Sequence, residues 1–237
     1  VETRKGSVTP YLEITKSKYG VIQPVIVETR KGSVTPYLEI TKSNGKYVLN
    51  SQNANYSYGG LHVLFNDFFK KVELKKYDIK SVLLLGMGAG SVISLLKNKY
   101  DFNGEITAIE KDEVVIDIAK KYFEIDSFQS LHIIQADAFE FVKTTTQSFD
   151  LIISDIFIDG NVPAIFATPE YIMNLKRISN QRSCIIYNKM TEQQIHKKEV
   201  SEFEKLFSSV FNGAVTHKLI AYESENSLLF YNNLPLK

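Results

Sequence analysis

The chain has 237 residues, of which 44% are hydrophobic and 23% charged, and its formal net charge at pH 7 is +1. This composition is ordinary for a soluble globular protein, and the length is sufficient for one large α/β domain plus a small additional unit. The near-neutral charge gives no support for nucleic acid or an anionic membrane as a partner, and no apolar stretch approaches a membrane span. No signal peptide is visible. The single cysteine, Cys184, excludes an internal disulfide, so we expect a cytoplasmic protein, and no metal site is expected from so few Cys and His.

The N-terminal region contains an exact repeat, because residues 1–17 recur letter for letter at 27–43. Structural repeats diverge while keeping their hydrophobic pattern, so complete identity indicates a recent duplication or an artefact. The second copy continues as alternating apolar and polar residues around the Asn-Gly pair at 44–45, which favours a tight β-hairpin turn. We therefore predict a small N-terminal β domain over residues 1–53 and a main domain over 54–237. The chain does not begin with Met, which suggests that residue 1 is not the natural N-terminus.

The main domain begins with a predicted helix and continues with strands that alternate with helices. Apolar residues from Leu61 to Val72 recur at helical spacing. Apolar runs that stop at Gly, Asp or Glu are typical of buried parallel strands, whose carboxyl ends form the ligand-binding edge of an open sheet. The predicted strands are 81–85, 105–110, 131–135, 149–154 and 183–188. Helices are predicted near 90–100, from the N-cap Asp112, from Thr168-Pro169, and after a Thr191–Gln194 capping box.

The tail of the chain reads as two strands joined by a tight turn at Ser224–Asn226. A β-hairpin that closes a parallel sheet is a specific architecture. It points away from the dinucleotide-binding dehydrogenases.

Candidate ligand-binding residues follow the first two strands. Gly86, Gly88 and Gly90 form the sequence GMGAG, where glycines let the backbone turn sharply and approach a ligand. Glu110 ends the second strand and could accept two hydrogen bonds from a ribose diol, the alternative being a solvent-facing charge at a strand end. The spacing therefore favours a nucleoside site at this edge.

Two aspartates end the next two strands. Asp137 and Ala138 lie where an adenine base would reach the sheet edge, and Asp137 is also a good N-cap for a helix over 138–143. Asp155 could orient or deprotonate an amine, stabilise a cationic sulfonium centre, or simply cap a loop. Both aspartates would face the same ligand.

The motifs LLLGMGAG, AIEKDEVVIDIAKKYF, IIQADAFEFV and FDLIISDIF, in this order, resemble the spermidine synthase branch of the S-adenosylmethionine-dependent methyltransferase superfamily over residues 27–232. The resemblance implies an α/β fold: a small N-terminal β-hairpin domain, then a Rossmann-like seven-stranded sheet with a C-terminal β-hairpin. It implies that the three glycines cradle the methionine part of the cofactor, Glu110 binds the ribose and Asp137 with Ala138 borders the adenine. Asp155 matches the family's catalytic aspartate, and a homodimer is expected.

The chain departs from the pattern of this family at acidic positions. Ala89 stands where the glycine loop usually carries Asp, and Ile158 stands where a second Asp normally follows, with Asp159 one residue late. The segments at 49–53 and 58–60 likewise lack the acids of the motifs that they resemble. Each change removes negative charge from a pocket that, in aminopropyl transfer, holds two cationic molecules.

These departures place methyl transfer from S-adenosylmethionine to a small-molecule acceptor first among the predicted functions. Aminopropyl transfer from decarboxylated S-adenosylmethionine, using Asp155 and Asp159, is the alternative, and a catalytically degenerate nucleoside-binding protein is a third interpretation. Tyr56, Tyr58 and His62 could line the acceptor side, although residues of this kind more often pack between two domains.

Overall fold

The computed structural model describes residues 15–17, 20–22, 24–159, 161–190, 194–221 and 224–237. The strands are β1 (Thr15–Ser17), β2 (Gly20–Ile22), β3 (Val25–Arg30), β4 (Leu38–Ser43), β5 (Lys46–Ser51), β6 (Asn55–Ser57), β7 (Ser81–Leu85), β8 (Glu105–Glu110), β9 (Leu131–Gln135), β10 (Phe149–Ser154), β11 (Ser179–Met190), β12 (Val215–Ala221) and β13 (Ser224–Asn232). The helices are α1 (Gly60–Lys71), α2 (Ser91–Ser94), α3 (Glu113–Phe123), α4 (Ala138–Thr144), α5 (Pro169–Arg177) and α6 (Gln194–Val210).

The N-terminal sheet has four antiparallel strands in the order β3-β4-β5-β6. Asn44 and Gly45 both adopt positive φ, at 49° and 79°, which confirms the predicted hairpin between β4 and β5. The sheet continues to Ser57 and buries Leu38 and Ile40 in the same core cluster as α1. Of the first copy of the repeat, residues 1–14 lie outside the described residues.

The main sheet has seven strands in the order β12-β13-β11-β10-β7-β8-β9. The five strands from β11 to β9 are parallel, and β13 runs antiparallel to both β11 and β12. The predicted sheet and its C-terminal hairpin are therefore confirmed. The turn predicted at Ser224–Asn226 is wrong, because these residues begin β13 and pair with Leu219–Ala221. The connection at 222–223 lies outside the described residues.

The apolar side chains of the parallel strands are buried on both faces of the sheet. Leu84 belongs to a core cluster shared with α1, α2, α3 and the N-terminal sheet, whereas Leu83 belongs to the cluster under α4, α5 and α6. Alternate residues of a strand point to opposite faces, so a continuous apolar run is what a sheet covered on both sides requires. Within the part of the chain that is described, no helix is long and apolar enough to cross a membrane.

Two predicted helix starts have the expected caps. The Asp112 carboxylate accepts a hydrogen bond from the Val114 backbone N–H, and the Thr168 hydroxyl accepts one from Tyr171. The Thr191 part of the predicted capping box lies outside the described residues. These caps fix the residues at which α3 and α5 begin beside the sheet.

Candidate functional site

A cavity of about 360 Å³ lies at the carboxyl ends of the parallel strands, where β6 and α1 cover the sheet edge. This volume falls within the range of about 300–1,000 Å³ that is common for small-molecule sites. Its wall includes several of the residues singled out from the sequence, namely Gly86, Gly88, Glu110, Asp137, Ala138 and Asp155. The structure therefore brings the ends of four separate strands together around one space.

The glycine loop lies directly against the end of β10. Gly86 has a φ of +84°, and a Cβ atom there would collide with the backbone oxygen of Asp155. Gly88 has a φ of +54° and also faces the cavity. Gly90 differs, because a Cβ atom there would strike the Ile125 side chain and because Gly90 does not line the cavity. Gly86 therefore lets the loop pack against the end of β10, and Gly90 lets it pack against Ile125. Of the three glycines, Gly86 and Gly88 line the cavity.

Glu110 is a buried carboxylate held by the backbone. One oxygen accepts a hydrogen bond from the Gly88 N–H at 3.0 Å, and the other accepts from Lys111 and Asp112 at 2.9 and 3.0 Å. Burial raises the pKa of Glu110 to about 7, although these three hydrogen bonds favour the charged form. The carboxylate is therefore fixed in place, and its remaining lone pairs can accept hydrogen bonds from a diol.

Both carboxylate oxygens of Asp137 have partners at the cavity wall. One carboxylate oxygen accepts from the backbone N–H of Phe139 at 2.8 Å and of Glu140 at 3.3 Å, which caps α4. The other oxygen lies 2.9 Å from Lys111 Nζ. Partial burial opposes ionisation, but Lys111 and the helix N–H groups hold the pKa of Asp137 below its ordinary value. The capping interpretation is thus satisfied while Asp137 and Ala138 still border the cavity.

Asp155 has a different environment from the other two acids. Its side chain is buried, and one oxygen accepts a hydrogen bond from the Asn188 amide at 2.9 Å. Burial raises the pKa of Asp155 to about 7, and only the Asn188 hydrogen bond opposes this shift. A carboxyl group that exchanges its proton near neutral pH suits general acid–base chemistry.

Asn188 is a residue of the site that was not predicted from the sequence. It lies near the end of β11, next to β10 in the sheet, and is 1% exposed. Its amide oxygen has no hydrogen-bond partner within the described residues. The position of Asn188 directly after the apolar run CIIY could have indicated a site residue, because a buried amide at the end of such a strand needs hydrogen-bond partners.

Tyr58 and His62 do not line the cavity, so the structure gives no support to a substrate role for them. The Tyr58 ring stacks between Phe123, at 4.6 Å between centroids, and His62, at 5.7 Å. The His62 Nδ1 atom lies 3.1 Å from the Ser91 hydroxyl. Aromatic packing between β6, α1 and α3 therefore accounts for both residues, whereas Tyr56 is on the cavity wall.

Asp159 is also displaced from its predicted role. Its carboxylate accepts hydrogen bonds from the backbone N–H of Asn53 at 2.9 Å and from the Asn53 side-chain amide at 2.6 Å. It does not line the cavity. Asp159 therefore connects the loop after β10 to the segment between β5 and β6 of the N-terminal sheet. No cluster of three or more potential metal ligands occurs among the described residues.

Comparisons with known proteins identify the family of this chain. Residues 68–223 match the family described as "Spermine/spermidine synthase domain". The polyamine aminopropyltransferase of Vibrio vulnificus is 25% identical over 134 residues, which are 55% of this chain and 44% of that protein. The eEF1A lysine and N-terminal methyltransferase homolog of Drosophila melanogaster is 24% identical over 152 residues, covering 59% of this chain and 22% of that protein. The chain thus spans less than half the length of either relative.

The fold has a close counterpart among solved structures. Spermidine synthase from Thermotoga maritima superimposes with a TM-score of 0.70 and 16% identity, over 94% of this chain and 79% of that one. At this identity the superposition establishes the fold, while the family match covers about two thirds of the chain. The chain belongs to the spermine/spermidine synthase domain family.

Proposed function

We propose that this chain is an aminopropyltransferase, which moves the aminopropyl group of decarboxylated S-adenosylmethionine to an amine. The observation that carries the proposal is the presence of two buried carboxylates, Glu110 and Asp155, on one cavity in a chain of this family. The Vibrio vulnificus relative bears the name polyamine aminopropyltransferase. These findings favour aminopropyl transfer over methyl transfer, which the sequence departures alone had placed first.

The residues around the cavity fit a nucleoside sulfonium donor. Gly86 and Gly88 line the cavity without side chains, and Glu110 presents an oriented carboxylate for the ribose hydroxyls. Asp137 and Ala138 would border the adenine. The donor supplies a carbon activated by its sulfonium group. The protein supplies negative charge to hold two cationic molecules together, which is the binding problem of this reaction.

Asp155 would act on the acceptor amine. An acceptor arrives as an ammonium ion, and only the neutral amine has the lone pair needed for attack. A carboxylate beside it attracts the cation and then accepts its proton. Asn188 occupies one oxygen of Asp155, which leaves the second oxygen for the amine. Most of the acceleration would come from holding the nitrogen and the donor carbon in line, in a site that excludes water.

Methyl transfer is the second candidate because of two specific observations. Ala89 leaves the glycine loop without the acid that would repel the carboxylate of intact S-adenosylmethionine, and the Drosophila melanogaster relative is named a methyltransferase. Ala89 is fully buried and does not line the cavity. An acid at position 89 would therefore act on the donor by its field and not by direct contact.

The test is turnover with decarboxylated S-adenosylmethionine and a panel of primary amines, with aminopropylated products identified by mass spectrometry. We expect product from the wild-type protein and at least about a hundredfold loss for Asp155→Asn. Asp150→Asn is the matched control, because Asp150 lies at the opposite end of β10 and bonds to Lys80, Ser81 and Asn180. Equal activity of Asp155→Asn and wild type would contradict the proposed role.

A further inference from the structure

We infer that the base site of this cavity accepts an oxopurine nucleoside as well as an adenine nucleoside, because Lys111 and Asp137 together offer the base a donor and an acceptor. This inference rests on the nucleoside site of the proposed function and specifies the bases that the site takes. The residues involved follow β8 and β9, and the whole chain from 105 to 140 is described.

Lys111 and Asp137 meet because they follow neighbouring parallel strands. Glu110, the last residue of β8, lies opposite Gln135, the last residue of β9, so the residues after the two strands emerge side by side. The Lys111 backbone N–H donates to the Glu110 carboxylate at 2.9 Å, and the Lys111 Nζ atom lies 2.9 Å from Asp137 Oδ2. Both residues line the cavity. The ion pair is therefore directly beside the carboxylate that is proposed to bind the ribose.

The ion pair retains capacity for further hydrogen bonds. Asp137 Oδ1 accepts from two backbone N–H groups of α4, whereas Oδ2 has the Lys111 ammonium as its one partner among the described residues. A carboxylate oxygen has two lone pairs and an ammonium group has three donors, so neither group is exhausted. The side chains of Lys111 and Asp137 are 58% and 33% exposed. A ligand at this wall can therefore accept a hydrogen bond from Lys111 and donate one to Asp137.

The edges of two purine bases fit this pair in different ways. Adenine has an amino group, which donates, beside a ring nitrogen that accepts, and hypoxanthine has an oxo group, which accepts, beside a ring N–H that donates. With adenine, the amino group would donate to Asp137 and the ring nitrogen would accept from Lys111. With hypoxanthine, the ring N–H would donate to Asp137 and the oxo group would accept from Lys111. A carboxylate alone would select adenine, because it repels the lone pairs of an oxo group.

Lys111 is the one cationic side chain among the described residues of the cavity wall. The other acid at this part of the wall is Glu140, which is exposed and whose backbone N–H binds Asp137. A carboxylate of Glu140 can accept hydrogen bonds but cannot donate one to an oxo group. The tolerance for an oxopurine therefore depends on the Lys111 ammonium.

The first experiment compares methylthioadenosine with methylthioinosine, which differ only in the base. Their dissociation constants are measured by isothermal titration calorimetry with the wild-type protein. We expect methylthioinosine to bind no more than about fivefold more weakly, because each base can form one hydrogen bond to each member of the pair. A larger difference in favour of methylthioadenosine would overturn the inference.

Substitution of Lys111 tests the role of its ammonium group. Lys111→Met keeps an unbranched side chain but removes the charge and the donor, so the oxo group would face a carboxylate without a donor. The ratio of the two dissociation constants, methylthioinosine over methylthioadenosine, should rise at least about fivefold relative to wild type. Lys121→Met is the matched control, because Lys121 forms a similar ion pair with Glu28 at 2.8 Å and does not line the cavity. It should leave the ratio within about twofold. A smaller rise in Lys111→Met, or an equal rise in Lys121→Met, would overturn the inference.

Failure of the inference and failure of the proposed function give different results. If both nucleosides bind as expected but no aminopropylated product forms, aminopropyl transfer is refuted and the base site stands. If product forms and the ratio is the same in Lys111→Met as in wild type, the inference alone is refuted. If the wild-type protein binds neither nucleoside, both are refuted.

Discussion

Neutralising Asp155 should stabilise the protein at high pH. In the unfolded chain an Asp carboxyl ionises near 3.8, whereas burial raises the pKa of Asp155 in the folded protein to about 7. The stability contributed by the protonated carboxyl is complete below pH 3.8 and is lost as the pH rises through 7. Asp155→Asn removes this loss, and the amide oxygen of the new side chain can still accept the hydrogen bond from Asn188.

The size of the stability change can be calculated for the interval from pH 5 to pH 8. Wild type loses stability over the two pH units from 5 to 7, at about 1.36 kcal/mol per unit. The free energy of unfolding of Asp155→Asn relative to wild type should therefore rise by up to about 2.7 kcal/mol between pH 5 and pH 8. Both values would come from urea unfolding followed by circular dichroism, because the chain has no Trp.

Asp150→Asn is the control with the opposite sign. Burial opposes its ionisation, but hydrogen bonds from Asn180, Lys80 and Ser81 hold the pKa of Asp150 below its ordinary value. Its contribution to stability is present above about pH 4 and is lost only below that. The effect of Asp150→Asn should be destabilising and the same at pH 5 and pH 8. If the difference between Asp155→Asn and wild type is also independent of pH, the claim that Asp155 titrates near neutral pH is refuted.

Three further predictions concern the elements around the cavity. Gly86→Ala should lower the free energy of unfolding, measured in urea, by at least about 2 kcal/mol more than Gly45→Ala, because both glycines have φ near 80° but only at Gly86 would a Cβ atom clash with Asp155. Equal losses in the two variants would contradict this. Asp112→Ala should lower the free energy of unfolding by about 2–4 kcal/mol, because the buried carboxylate accepts hydrogen bonds from the backbone N–H groups of Ser33, Val34 and Thr35 and also caps α3. A helix cap alone contributes about 1 kcal/mol, so a change of less than about 0.5 kcal/mol would contradict this prediction. Glu110→Gln should weaken methylthioadenosine binding at least about tenfold by calorimetry, while Glu113→Gln, at the exposed start of α3, should leave it within about twofold.

The parallel strands could be predicted closely from the sequence. The ranges predicted for the strands at 81–85, 105–110, 131–135 and 149–154 agree with β7, β8, β9 and β10. A strand buried on both faces has a continuous apolar run, and the polar residue that ends it also marks the edge of the sheet. The same pattern therefore predicted Glu110 and Asp155 at the cavity.

The antiparallel part of the sheet was harder to predict. β11 extends over Ser179–Met190, well beyond the predicted 183–188, because it pairs with β10 on one side and with β13 on the other. Ser224–Asn226 has turn-forming residues, yet pairing with β12 holds it in strand conformation. Tertiary pairing outweighs local preference here, and a single sequence carries no direct signal of it.

The directions of the side chains at the site could not be predicted from the sequence. Tyr58, His62 and Asp159 lie close in the sequence to residues of the cavity wall, but they face an aromatic stack or the Asn53 amide. Asn188 is 33 residues from Asp155 and is in contact with it. The strand order that joins β10 to β11 creates this contact, and it became visible only once the sheet was assembled.

The most direct test of the account is a competition between two donors. Purified protein is incubated with equal concentrations of S-adenosylmethionine and its decarboxylated form, together with the panel of primary amines, and the nucleoside products are separated by chromatography. We expect methylthioadenosine as the main product, in an amount equal to the aminopropylated amine, and its loss in Asp155→Asn. S-adenosylhomocysteine as the main product, with methylated amine, would contradict it and establish methyl transfer instead.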